Sequence, residues 1–197
     1  LVGPLPTPAL PMLIKSLRAD MGVMITASHN TFEYNGLKFF DSKGLKIVKS
    51  LEKKIESIVF NKSKYSKIIN LTHESGKAFR LEDAKGRYSE YLKSTLKIKS
   101  KFKKFKIVLD CANGATYSVA PNLFWEIGCK VITINNNPNG KNINYNCGAV
   151  NTKELSKKVV NEKADIGFAF DGDGDRIIVI DENGNEIDGD KIIALFA

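Results

Sequence analysis

The chain has 197 residues, with 30 Lys and Arg against 22 Asp and Glu, a formal net charge of +8, 43% hydrophobic and 26% charged residues. These proportions exclude wholesale disorder and supply enough apolar material for one domain or two small ones. No apolar run reaches the ~20 residues of a membrane span, so an integral membrane protein is not expected.

Three cysteines, Cys111, Cys129 and Cys147, form no CxxC pair and leave an odd count. That argues against a disulfide framework or a zinc ribbon and predicts a reducing, cytoplasmic setting. The chain opens on Leu1-Val2-Gly3 without Met and ends inside the apolar run Ile192-Ile193-Ala194-Leu195-Phe196-Ala197. It is therefore expected to be a piece of a longer protein.

In chain order, Leu10, Leu13, Ile14 and Leu17 recur at helical spacing over residues 8–19, after a Pro-rich lead of Pro4, Pro6 and Pro8. Residues 22–26 read as a short buried strand and residues 27–35 as a polar loop. Leu37–Phe40 and Leu45–Val48 read as two strands around the turn Asp41-Ser42-Lys43-Gly44. Leu51, Ile55, Ile58 and Val59 give the following helix an apolar stripe, and residues 61–80 read as polar and irregular. A helix over about 82–96 presents Tyr88, Tyr91, Leu92 and Leu96 on one side.

Beyond it the pattern alternates. Strands at 106–110, 130–134 and 166–170 are separated by helices at 117–127 and 152–162, with Thr152 as an N-cap. An Asn/Gly-rich loop covers 135–151, and a last strand covers 177–180. Strand–helix alternation predicts an α/β fold of two domains, with mixed or parallel sheets flanked by helices and ligands at the carboxyl ends of strands. The boundary is placed near residues 78–83, dividing 1–80 from 81–197.

Charge is uneven: residues 1–100 hold 18 basic against 9 acidic side chains, and residues 101–197 hold 12 against 13. The densest basic run, from Lys97 to Lys106, interleaves Lys with Phe102 and Phe105, a texture that can bind single-stranded nucleic acid. No nucleic-acid module signature accompanies it, so it is read as a solvated connection into a strand.

Two segments carry chemistry. Asp171-Gly172-Asp173-Gly174-Asp175-Arg176 follows a strand and spaces three carboxylates at i, i+2 and i+4, which point the same way in extended chain. Three hard oxygen ligands suit Mg²⁺ or Ca²⁺ rather than zinc. An EF-hand is rejected because its sixth position, a glycine in that motif, is Arg176, and because the flanks read as strands. Arg176, directly after the acidic residues, can hold a phosphate bidentately. The second segment, Thr26-Ala27-Ser28-His29-Asn30, closes a strand and offers a hydroxyl nucleophile. Adjacent Ser and His are poorly placed for direct proton transfer, there is no G-x-S-x-G elbow, and no P-loop is present. A hydroxyl in one half and a metal-type loop with Arg in the other point to phosphoryl transfer.

Together these two segments resemble the α-D-phosphohexomutase superfamily. Gly3-Pro4-Leu5-Pro6-Thr7-Pro8-Ala9, Asp110-Cys111-Ala112-Asn113-Gly114-Ala115-Thr116, and Pro138-Asn139-Gly140-Lys141-Asn142-Ile143-Asn144 with Cys147-Gly148 narrow the resemblance to its bacterial phosphoglucosamine mutase family. It covers essentially the whole chain, as the latter part of the family's first domain and most of the second.

The resemblance implies a cytoplasmic, four-domain enzyme on the route to UDP-N-acetylglucosamine. It would interconvert glucosamine 6-phosphate and glucosamine 1-phosphate, with a sugar 1,6-bisphosphate as primer and intermediate. Ser28 would be the phosphoserine. Asp171, Asp173 and Asp175 would hold one Mg²⁺, with a phosphoserine oxygen from Ser28 completing the site. Arg176 would contact the phosphoryl group, Lys38 would move a proton to and from the sugar hydroxyl, and His29 and Asn30 would shape the loop. A phosphosugar is the implied partner, with no nucleic acid and no membrane, and the full-length enzyme would pair as a homodimer. One departure is Thr31, where the family usually has Pro, and a looser loop is expected there. A turning bisphosphate would need an enclosed basic cleft, part of which the positive first half is expected to supply. The family's sugar-selecting and distal phosphate loops lie outside these residues, so the 197 residues alone are expected to be inactive. The nearer alternative is a phosphomannomutase/phosphoglucomutase of the same superfamily. The alternative of another class is a non-catalytic Mg²⁺- or nucleic-acid-binding module.

Overall fold

A computed structural model describes residues 1–69, 76–96, 102 and 104–197. Helix α1 (Ala9–Leu17) begins at Pro8, whose φ of −63° is already helical, and ends at Arg18 in the left-handed region. Its stripe of Leu10, Leu13 and Ile14 is buried. It packs on strand β1 (Met21–Ile25) over Gly22, where a Cβ would lie 2.6 Å from Ile14 Cδ1. The absent side chain is what lets helix and strand approach. Strand β2 (Leu37–Asp41) pairs antiparallel with β1, setting Lys38 opposite Met24 and Leu37 opposite Ile25.

The β1 strand is less buried than its sequence predicts. Only Gly22 is fully covered, and Val23 and Ile25 are exposed, because α1 packs on one face of this two-stranded sheet and nothing described covers the other. Residues 45–48 likewise form no second strand. A single bridge links Phe40 to Lys46, and Asp41 Oδ1 accepts from the Lys43 and Leu45 amides, both at 2.9 Å, which folds the chain into a turn. Helix α2 (Lys49–Val59) follows with no fully buried residue. Within the stretch expected to be irregular, Lys62–Ile69 forms helix α3, with Asn61 Oδ1 accepting from the Lys64 amide at 3.1 Å. Most of the basic run, residues 97–101 and 103, lies outside the described residues.

The second sheet has the order β4-β3-β5-β6-β7. Strands β3 (Lys106–Asp110), β4 (Lys130–Ile134) and β5 (Ile166–Phe170) run parallel, while β6 (Ile177–Ile180) and β7 (Glu186–Ile187) are antiparallel additions. Helix α6 (Lys153–Glu162) covers one face through Leu155 and Val159, packed on Val108, Ala169 and Ile180. Helix α5 (Val119–Glu126) covers the other, where Phe124 stacks on Phe168 with centroids 5.6 Å apart. Helix α7 (Gly189–Phe196) ends the chain with Asp188 accepting from the Asp190 amide as its cap. Thr152 precedes α6 as expected but does not cap it. Its backbone is already near helical, and its hydroxyl donates to the Glu186 carboxylate instead.

Helix α4 (Ala84–Ser94) joins the two halves. Ala84 and Tyr88 pack with Leu5, Ala9 and Leu13 from the first half and Val119 from the second. Tyr91 and Leu96, expected on its inner side, are exposed. No helix among the described residues is long and apolar enough to cross a membrane.

At the carboxyl end of β3, Asp110 is fully buried and accepts three hydrogen bonds. These come from the Ala112 amide (2.9 Å), the Gly148 amide (2.9 Å) and Asn135 Nδ2 (3.2 Å). Burial raises its pKa, and the three donors work against that rise without cancelling it. Asp110→Ala strands those donors and should cost about 2 kcal/mol or more in a urea titration. The native state holds the Asp110 proton to higher pH than the unfolded chain. Its contribution to stability therefore falls as pH rises through the interval just above the ordinary value of 3.8. Asp110→Asn, which cannot titrate but sets an NH2 against at least one of the donors, should be less stable than wild type and lack this slope, its deficit narrowing across that interval.

All three cysteines are buried and free. Burial, with the nearby charge of Asp110 adding to it, pushes the Cys111 and Cys147 thiols up to about 12, and burial also raises Cys129. A group below its pKa keeps its proton, and the protonated thiol is inert. Ellman's reagent at pH 8 should therefore leave the native protein essentially unmodified and titrate all three thiols in guanidinium.

Candidate phosphoryl-transfer and metal site

The acidic loop spans the turn from β5 to β6. Asp171 Oδ1 accepts from the Asp175 and Arg176 amides, both at 3.1 Å, and Gly174 N donates to the Asp171 carbonyl at 3.0 Å with φ at +67°. The carboxylates converge because this loop curls on itself, rather than because alternate residues of an extended strand share a face. One ligand oxygen each of Asp171, Asp173 and Asp175 lies within 4.8 Å of the others, with Asp171 and Asp173 buried and Asp175 more open.

The first half supplies what neutralises the loop. Ser28 Oγ donates to Asp171 Oδ2 at 2.8 Å. Lys38 Nζ bridges Asp173 Oδ2 (2.7 Å) and Asp175 Oδ2 (2.8 Å). Thr7 doubles the contact, its hydroxyl donating to Asp173 Oδ2 at 2.7 Å and its amide to the Asp173 carbonyl at 2.8 Å. Burial raises the Asp171 pKa, and the neighbouring aspartates add to the rise. Asp173 is also pushed upward by burial, but its hydrogen bonds from Lys38 and Thr7 and the Lys38 charge hold it below the ordinary carboxylate value. Partial burial tends to lower the Lys38 pKa and is outweighed by Asp173 and Asp175, leaving it raised.

Ser28 sits in the left-handed region at φ +55°, its amide donating to Thr26 Oγ1 at 2.8 Å. Asn30 contributes through its backbone, its amide donating to the Ala27 carbonyl at 3.1 Å. Thr31 closes a turn, its carbonyl accepting from the Tyr34 amide at 3.1 Å. His29 is exposed, and its ring makes no hydrogen bond among the described residues. The structure therefore does not bring it into the cluster. Arg176 stays loosely attached, with Nε 4.0 Å from Asp171 Oδ2 and 3.9 Å from Asp175 Oδ1 and its side chain 57% exposed.

A cleft of about 880 Å³ reaches Ser28 and Asp173, walled by Met24, Phe32, Tyr34, Tyr117 and Ile143. Arg80 is the basic side chain among its described lining residues. Lys38, bound to Asp173, adds a second positive charge from the first half beside it. The lysines of α2 and α3 are all exposed and solvated.

Sequence reasoning does not single out Thr7, Asp110 or Asn144. Asn144 is buried, and its Nδ2 donates to the carbonyls of Ser28 (2.9 Å) and Asn30 (2.8 Å). All three lie within quoted motifs, but only the fold brings Thr7 and Asn144 to residues more than a hundred positions away.

The family profile for phosphoglucomutase/phosphomannomutase α/β/α domain I matches residues 1–66, and that for α/β/α domain II matches residues 86–184. Phosphoglucosamine mutase from Syntrophus aciditrophicus is 47% identical over all 197 residues, which span 44% of that protein. The phosphoglucosamine mutase from Caldicellulosiruptor saccharolyticus is 50% identical over an alignment covering all of this chain and 43% of its own length. The solved phosphoglucomutase/phosphomannomutase family protein from Burkholderia thailandensis is 27% identical with a TM-score of 0.74, covering 98% of this chain and 42% of that one. The chain thus spans less than half the length of these relatives. With both domain profiles matched in order and the two halves meeting at a hydroxyl and a carboxylate triad, the chain belongs to the phosphoglucomutase/phosphomannomutase family.

Proposed function

We propose that the full-length protein is a phosphoglucosamine mutase, interconverting glucosamine 6-phosphate and glucosamine 1-phosphate through a phosphoserine at Ser28 and a sugar bisphosphate. The observation that carries this reading is the 2.8 Å bond from Ser28 Oγ to Asp171 Oδ2, which joins a hydroxyl in one half to a metal-type loop in the other. The curated relatives at 47% and 50% identity bear the same activity in their names. In this reading residues 1–80 form the phosphoserine unit and residues 81–197 the metal-binding unit.

The donor set fits Mg²⁺. It consists of three carboxylates, all hard oxygens, and Asp173 Oδ1 is buried without a hydrogen-bond partner among the described residues. Asp171, Asp173 and Asp175 would hold the ion together with the Ser28 oxygen. When bound it would offset the negative charge that builds on the transferring phosphoryl group.

The chain's own residues do the rest. In the forward transfer the bond from phosphorus to Ser28 Oγ breaks and a bond from phosphorus to a sugar hydroxyl oxygen forms. The sugar hydroxyl loses one proton and Ser28 Oγ gains one. Lys38, whose Nζ sits beside the loop and carries its proton, is the residue proposed to pass it between them. Arg176, loosely held and exposed, is proposed to contact the phosphoryl oxygens.

Intact-mass and peptide mass spectrometry of the full-length protein should find one phosphate, on Ser28. A coupled assay with several hexose phosphates should show preference for the glucosamine phosphates. Ser28→Ala should lose turnover by several orders of magnitude while keeping the fold. Ordinary turnover in that variant would refute the phosphoserine, and preference for mannose or glucose phosphates would move the assignment to another branch of the family.

Asp173→Asn should weaken Mg²⁺ binding at least about tenfold in a calorimetric titration, since it removes one of three anionic ligands. Unchanged affinity would show that Asp173 is not a ligand.

A further inference from the structure

Ser28 bonds Asp171 through its side-chain oxygen while its backbone is left-handed, at φ +55°. A non-glycine residue does not rest there unless its surroundings hold it. On one side the Ser28 amide is tied to Thr26 Oγ1, within the same loop. On the other side the tie comes from a distant part of the chain. Asn144 Nδ2 spends both of its hydrogens on the Ser28 and Asn30 carbonyls, at 2.9 and 2.8 Å. Asn144 is itself fixed, since it is 3% exposed, its amide donates to the Ala112 carbonyl at 2.9 Å, and its backbone is left-handed at φ +56°. The carboxamide NH2 supplies the two donors that the two carbonyl oxygens need. The carboxylate of an aspartate would set an acceptor against two acceptors.

The same side chain meets the acidic loop. A Cβ built on Gly172 would lie 2.5 Å from Asn144 Nδ2 and 2.6 Å from the Ser28 carbonyl oxygen. The Asn144 amide, the Ser28 backbone and the acidic loop therefore stack with no side chain between them. Asn144 touches none of the three carboxylates through a hydrogen bond, and it bonds Ser28 only through the main chain.

We propose that Asn144 is a positioning residue for phosphoryl transfer. It clamps the Ser28 and Asn30 carbonyls so that the Ser28 oxygen is presented to the acidic loop, while the three carboxylates of the loop are held without it. The proposal rests on the reading of Ser28 as the group that donates and reaccepts the phosphoryl.

Two variants test it in the full-length protein, Asn144→Asp and Asn144→Gly. Both tolerate a left-handed backbone. Asp keeps the volume and removes the donors, and Gly removes the side chain. With glucosamine 6-phosphate as substrate and the sugar 1,6-bisphosphate as primer, kcat should fall about 10²-fold in both, while KM stays within about threefold of wild type and Mg²⁺ affinity by titration falls by less than about tenfold, because the three carboxylates stay in place. A merely structural role would not produce that split. Unchanged kcat in either folded variant overturns the proposal. So does a fall in Mg²⁺ affinity that parallels kcat, which would make Asn144 part of the metal site. If neither variant folds, Asn144 belongs to the scaffold and the proposal is equally lost. Absence of both turnover and Ser28 phosphate in the wild-type protein would instead overturn the phosphoserine reading, and the clamp with it. Normal wild-type turnover matched by both variants would overturn the clamp alone.

Discussion

Three carboxylate oxygens within 4.8 Å of one another are a liability for any chain. At an effective dielectric of ~20, each like-charged pair at that distance repels by roughly 3 kcal/mol. The chain answers from across the molecule. A serine hydroxyl, a threonine hydroxyl and a lysine ammonium, all from the first 38 residues, converge on the loop. Much of the architecture around the site follows from this meeting. The β1–β2 register turns Lys38 toward it, and the Pro-rich lead into α1 holds Thr7 against it. The apolar joint of α1, α4 and α5 fastens the two halves together. Neutralisation also divides the three carboxylates by role. Asp173 is drawn below the ordinary carboxylate range by its partners from the first half, while Asp171, more deeply enclosed, is pushed above it.

The parallel core of the second half is written plainly in the sequence. Strand β3 is a continuous apolar run because it is covered on both faces, helix α5 following it and helix α6 following its neighbour β4 as crossovers of a parallel sheet. The first half is harder to read, for a physical reason. Its two-stranded sheet is covered on one face, so β1 and α2 carry apolar residues whose exposure no local pattern reveals. Residues 45–48 have strand-like composition, yet the Asp41 side chain captures two amides and makes a turn of the connection. A long-range hydrogen bond decides Thr152, whose hydroxyl goes to Glu186, 34 positions away, rather than to its own helix.

At the site, the acidic residues and Ser28 are legible because each has a chemistry of its own in a revealing position, the end of a strand. Lys38 is legible only by resemblance, since a lysine on a short strand has no local mark of function. Thr7 and Asn144 leave no local signal at all. Threonine after proline and asparagine in an Asn-rich loop are ordinary, and their significance lies in partners 166 and 116 positions away. His29 shows the converse, a conspicuous residue type in a chemical motif that the fold leaves at the surface, outside the hydrogen-bonded cluster.

Gly172 carries no functional group, yet it lies where the serine loop, the asparagine loop and the carboxylate loop come closest. A methyl group there would act as a wedge. Neither the Ser28 carbonyl nor the Asn144 amide can yield without giving up its bond to the other, so both loops would have to retreat together. The triad would remain chemically complete, and the hydroxyl would remain, but the gap between them would widen. Damage to this site can therefore come from the gain of one carbon atom at a residue that takes part in no chemistry. A survey of side-chain reactivity would pass over that position.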